Sequence, residues 1–189
     1  MVWLLVSVVV IALDLYTKQL ASSALVLYRP HEVFSWLNMT LAHNYGAAFS
    51  FLSSAGGWQR WFFIALASVV SLVLLVWLMR LPRREWLTGL GLALVLGGAV
   101  GNLVDRVRLG SVVDFIDLNF WPLQTFPVFN LADASITVGV IMLAALLLRL
   151  GDDARGDVRD PHGAVGLVDM LSAGALGTVG IHAQVGRID

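Results

Sequence analysis

Two aspartates carry the most chemical information in this chain. Asp114 lies in Val112-Val113-Asp114-Phe115-Ile116, and Asp133 in Phe129-Asn130-Leu131-Ala132-Asp133-Ala134-Ser135-Ile136. Asp133 falls inside an apolar segment and Asp114 in the stretch leading to it, and neither has a local basic partner that would make it a plain ion pair. A carboxylate at membrane depth is costly, so one that is retained usually does something. Two that converge cannot easily both ionise, so one keeps a proton while the other is charged. The charged one can take a proton from water. The protonated one can polarise a scissile carbonyl, and the roles exchange as the tetrahedral intermediate collapses. Such a titration belongs to the pair rather than to either residue.

Other chemistries find little support. The chain has no cysteine, which excludes disulfides, thiolate metal sites and a cysteine nucleophile. His31, His43, His162 and His182 show no metal-ligand spacing and read as ordinary polar residues. Neither a Gly-x-Ser-x-Gly elbow nor a His-Glu-x-x-His run occurs, and no serine has an evident base.

The elements that must position the two acids are membrane spans. Of 189 residues, 58% are hydrophobic and 13% charged, with a mean hydropathy of +0.81. A soluble domain would carry about 25% charge. Net charge is −1, so no basic surface points to nucleic acid. Trp61–Met79, Trp86–Val104 and Val128–Leu148 each approach the ~20 apolar residues that a bilayer core requires. A further span opens the chain, with Met1–Leu13 continuing as Leu15–Leu27 around Asp14 and Lys18. It reads as a retained span, since no basic residue leads it and two charges interrupt it. The expected fold is therefore an all-α membrane protein with four transmembrane helices.

Arg80, Arg83 and Arg84 link spans two and three, and Arg149, Arg155 and Arg159 follow span four. Basic short loops stay in the cytoplasm, which places both termini there. Tyr28–Arg60 and Asp105–Pro127 are then the outer segments. The first holds a run of β-formers, Val33 to Ala42, and is expected to form a small strand or hairpin at the membrane surface. Residues 1–150 make the four-span domain, and 151–189 a flexible cytoplasmic tail.

On this topology the polar residues agree. Asp14 lies about 20 Å along the outward-running span one, and Lys18 is on the same face. Asn102, Asp105 and Arg106 share one face at the outer end of span three, and Asn130 and Asp133 begin span four. Asn44 and Asp114 come from the outer segments. Asp14 with Lys18, and Asp105 with Arg106, read first as structural ion pairs. Asn102 and Asn130 either join helices or serve a site. Gly89, Gly91, Gly97, Gly98 and Gly101 are expected to let span three pack closely. Asp117 is an extra carboxylate that would compete with Asp114 if its segment were helical.

At these residues the sequence resembles the lipoprotein signal peptidases (signal peptidase II), bacterial intramembrane aspartic proteases. Five blocks carry the resemblance in order: Asp14-Leu15-Tyr16-Thr17-Lys18; Asn44-Tyr45-Gly46-Ala47-Ala48-Phe49-Ser50; Gly101-Asn102-Leu103-Val104-Asp105-Arg106; Gly110-Ser111-Val112-Val113-Asp114-Phe115-Ile116; and the Phe129–Ile136 block. The resemblance covers residues 10–148. It implies removal of signal peptides from diacylglyceryl-modified prolipoproteins, with Asp114 and Asp133 as the catalytic dyad. It also implies that Asp14, Lys18, Asn44, Asn102, Asp105, Arg106 and Asn130 support the site or bind substrate. No metal or organic cofactor is expected. The expected setting is the bacterial inner membrane, with the site toward the outer face and the protein a monomer among membrane lipids. The chain departs from the resemblance in starting without the family's usual short basic lead, and the tail after Gly151 has no counterpart in it. Two other readings exist. A proton-coupled transporter would need a polar path through both leaflets, and the inner halves of spans two to four carry no charge. A non-catalytic lipopeptide-binding module would not need both aspartates.

Overall fold

A computed structural model describes residues 2–46, 57–123 and 126–159. Four helices are long and apolar enough to cross a membrane: α1 (Val2–Ala24), α2 (Trp58–Arg80), α3 (Trp86–Leu109) and the first part of α4 (Leu131–Arg159). α1 is continuous through Asp14 and Lys18. α4 runs past the expected end at Leu148 and into the expected tail, whose residues 160–189 lie outside the described residues. So do His162, His182 and the Ala47–Ser50 part of the second motif block.

α3 is the central helix. Half of its apolar window is buried, against 17% for α2 and 11% for α4, whose remaining faces are left for lipid. Its glycines permit this. A Cβ at Gly97 would sit 2.7 Å from the Val10 Cβ, and one at Gly89 would enter the Trp3 ring. Gly101 lies against the Asp14 carboxylate, and Ser7 Oγ donates to the Ala93 carbonyl at 2.9 Å. Residues 89, 93, 97 and 101 thus form one ridge, four apart, along which α1 packs parallel to α3. On another face, Gly91 meets Leu143 and Gly98 meets Ala132, Ser135 and Ile136, so α4 runs antiparallel. Between lipid-solvated helices close van der Waals packing replaces the hydrophobic drive, and small residues are how backbones approach. In Gly98→Ala the new methyl would collide with the Ala132 carbonyl oxygen and push away the helix start that carries Asp133. It is expected to cost about 1–3 kcal/mol, seen as a lower thermal midpoint in detergent. An unchanged midpoint would contradict this packing.

The expected β-element is present and larger than foreseen. β1 (His31–Phe34) and β2 (Leu37–Asn44) form a hairpin closed by Ser35-Trp36, and β3 (Val112–Leu118) adds from the second outer segment. The sheet is antiparallel, in the order β1-β2-β3, with Asp114 opposite Ala42 and Val112 opposite Asn44. β2 has an irregularity between Met39 and Ala42. β3 also bridges the chain entering α4: Ile116 and Phe129 exchange backbone hydrogen bonds at 2.8 and 3.0 Å. That bridge sets Asn130 beside Asp114.

Candidate active site

The nine residues singled out by sequence come from five elements or their edges, and the structure gathers them at one end of the bundle. Lys18 sits at the back, 3% exposed. Its ammonium ion-pairs with Asp14 Oδ2 at 2.8 Å and Asp105 Oδ2 at 3.0 Å, and donates to Asn102 Oδ1 at 2.9 Å. Three donors meet three acceptors, so a buried cation is fully satisfied. Asp105 also accepts from the Val113 backbone N–H at 3.2 Å, which ties α3 to β3. The Asp105–Arg106 clamp expected from adjacency is therefore replaced: Asp105 pairs with Lys18. Arg106 instead donates to the carbonyls of Gly46 at 3.0 Å and Asn102 at 3.5 Å.

Asp14, fully buried, does more than pair with Lys18. Its Oδ1 accepts from the Ala132 N–H at 2.9 Å, in the first turn of α4. Asn130 caps the same turn, its Oδ1 accepting from the Asp133 N–H at 2.9 Å. Two of the four unpaired N–H groups at that helix start are thus satisfied by side chains. Asp133 occupies the third helical position, where the partial positive charge of the helix end favours a carboxylate.

The two amides are oriented from behind. Lys18 has no acceptor, so Asn102 must turn Oδ1 toward it, and Nδ2 then donates to Asp133 Oδ1 at 2.7 Å. The Asp133 N–H fixes Asn130 likewise, and Asn130 Nδ2 donates to Asp114 Oδ1 at 2.6 Å, with longer contacts to Asn102 Oδ1 and Val113 O. One network of amides therefore holds both carboxyl groups.

Their surroundings differ. Asp114 is 2% exposed on a strand. Burial pushes its carboxyl from the ordinary 3.8 up to about 7, the charge of Asp133 pushes the same way, and hydrogen bonds from Asn44 and Asn130 and the charge of Lys18 only partly oppose them. Asp133 is half-buried and lines a cavity of about 250 Å³ together with polar Asn44, Asn102 and Arg106 and apolar residues that include Phe126, Val128, Phe129 and Ile136. Asp114 is hydrogen-bonded by Asn44, which lines the cavity, and is not itself among the lining residues. At ~30 Å³ per water, the cavity has room for several waters or a short piece of peptide. Asp117 takes no part. Its segment is a strand, so a residue three on faces the other side, and Asp117 accepts from Thr40 Oγ1 at 2.6 Å. His43 has the ordinary role expected of it, at 3.1 Å from Ser111 Oγ. Among the described residues no three His, Asp or Glu groups are placed to hold a metal ion.

Sequence reasoning missed three contributors. Gly46 offers a backbone carbonyl, which no side-chain pattern reveals. Arg60 and Phe63 of α2 both touch Arg106, contacts between helices that no local sequence pattern reveals.

A helical bundle with four segments long and apolar enough to cross a membrane, a small sheet at one end, and one buried and one half-buried carboxyl tied by a single amide network beside a cavity defines a multi-pass membrane protein of enzyme type. The sequence model of the Signal peptidase (SPase) II family matches residues 6–149, and the chain belongs to that family. It is 52% identical to the lipoprotein signal peptidase of Acinetobacter baumannii over 143 residues, 76% of this chain and 81% of that one. It is 52% identical to that of Ectopseudomonas mendocina over 154 residues, 81% and 91% of the two chains. Among solved structures, a bacterial membrane enzyme obtained by the in meso method superposes with a TM-score of 0.71 at 31% identity, covering 85% of this chain and 91% of that one. The protein is thus a membrane peptidase, as its sequence motifs imply.

Proposed function

We propose that this peptidase removes signal peptides from diacylglyceryl-modified prolipoproteins, cutting before the lipid-modified cysteine, with Asp114 and Asp133 as an aspartic dyad. The observation that carries this is the single amide network holding two carboxyls of unlike environment, one buried with its carboxyl pushed up to about 7, one at a helix start and lining the cavity. Asp133 takes a proton from water as its oxygen attacks the scissile carbonyl carbon. Asp114 gives its proton to the carbonyl oxygen, leaving a neutral tetrahedral diol. On collapse Asp133 returns its proton to the leaving nitrogen, Asp114 recovers one from a hydroxyl, and the C–N bond breaks. Asn102 and Asn130 hold the carboxyls, and Lys18, Asp105 and Asp14 fix those amides and the start of α4. Asn44 and Arg106 face the space where the peptide lies.

The basic loops at Arg80–Arg84 and beyond Arg149 put both termini in the cytoplasm of a bacterial inner membrane and the site toward the outer face. There the sheet cradles the substrate and lipids surround a monomer. Residues 1–150 form the peptidase domain and 151–189 a cytoplasmic extension.

The pH profile tests the proton assignment. Asp114 carries its proton below about 7 and loses it above. kcat on a lipid-modified substrate in detergent is therefore expected to be high near neutrality. It should fall about tenfold per pH unit once the upper apparent pKa of the pair is passed. A rate that holds level or rises between pH 7 and 9 would contradict it.

A further inference from the structure

Arg106 lines the cavity, and the charges of Asp133, Asp114 and Asp105 act on it, yet among the described residues no carboxylate ion-pairs with it directly. Asp105 is committed to Lys18, and Asn102 meets Asp133 through Nδ2. What grips Arg106 is the first turn of α2. Arg60 Nε donates to the Arg106 carbonyl at 3.1 Å, and its Nη2 to the Val107 carbonyl at 2.9 Å. Those carbonyls belong to the last turn of α3, where intrahelical partners run out. Gly110, at φ 80°, caps the same turn by donating to the Arg106 carbonyl at 3.2 Å, and it lies against the Arg60 side chain. Three residues after Arg60, Phe63 presents its ring to the guanidinium, whose carbon is 5.3 Å from the ring centre. Residues three apart share a helix face, so one face of α2 holds both the backbone and the charge of a single arginine.

We propose that Arg60 and Phe63 are positioning residues that aim the Arg106 guanidinium at the bound peptide, and so set substrate affinity without touching the reacting bond. Gly46 O and Asn102 O fix two edges of the planar fork, and the Phe63 face fixes its plane. N–H groups not spent on those carbonyls remain for carbonyl oxygens of an extended peptide. A cation over an aromatic face is held more firmly when desolvated, as here between helices. The proposal rests on the peptidase reading above, and on Arg106 meeting substrate.

The test is a double-mutant cycle read as separate kcat and KM on a lipid-modified peptide substrate. Phe63→Leu keeps apolar bulk and removes the ring face. It should raise KM about threefold to tenfold, with kcat within about twofold. Phe63→Tyr should restore KM. Arg60→Gln should act in the same direction as Phe63→Leu. In an Arg106→Gln background, which is itself weaker in KM, Phe63→Leu should have no further effect, because the group it aims is gone. Equal effects of Phe63→Leu in both backgrounds would overturn the proposal, as would a fall in kcat alone. If a variant is poorly folded, thermal melts in detergent reveal it, and a KM change that tracks melting rather than the ring face also overturns it. Absence of cleavage by the unmutated protein would instead sink the peptidase reading.

Discussion

Asp114→Asn and Asp133→Asn are each expected to reduce cleavage of a lipid-modified prolipoprotein by at least about a thousandfold, while the protein stays folded. An amide is close to a carboxyl in size, so packing is kept. What is lost is the ability to carry a proton in one step and release it in the next, and residues that act as a unit are lost as a unit. The double variant should therefore be little worse than either single one. The losses have different causes. On the proposed mechanism, the substitution at 133 removes the base beside the cavity. On the same mechanism, the substitution at 114 removes the acid, although the introduced amide could still donate a hydrogen bond. Near-normal turnover by either variant would refute the dyad.

Lys18→Met is expected to have the largest effect on stability. It leaves Asp14 and Asp105 buried without the cation between them, and breaking a buried pair in this way costs about 3–5 kcal/mol. It also frees the Asn102 amide to rotate, so activity should fall in the molecules that remain folded. Neutralising all three, with Asp14→Asn and Asp105→Asn added, should recover much of the thermal midpoint but not the activity, because charge is balanced while the amide orientation is not restored. A Lys18→Met protein as stable as the parent would show that these charges lie in water rather than in the bundle.

The spans were legible because their apolar runs are long and, after the first, bounded by charged residues, and the glycines of α3 announced close packing. The acids stood out because apolar spans carry few charges, and the structure brings them together at one end of the bundle. β3 was not. Val112–Leu118 is short and buried at its start, lacks clean alternation, and pairs with a strand about 70 residues earlier, so its strand character comes from β2 and from Phe129. The partner of Asp105 was misread for the same reason. Sequence adjacency offered Arg106, but the fold brings Lys18 from another helix. The grip of Arg60 and Phe63 on Arg106 likewise exists only once α2 and α3 are packed.

One measurement reaches the central claim most directly: a single turnover in oxygen-18 water, with mass spectrometry of the released signal peptide and of the enzyme. If the two carboxyls activate water and never bond to substrate, the new peptide carboxylate carries one heavy oxygen from the first turnover, and Asp114 and Asp133 stay unlabelled. An unlabelled first product, or heavy oxygen in either side chain, would mean that a carboxylate attacks the peptide itself, and the account would fail.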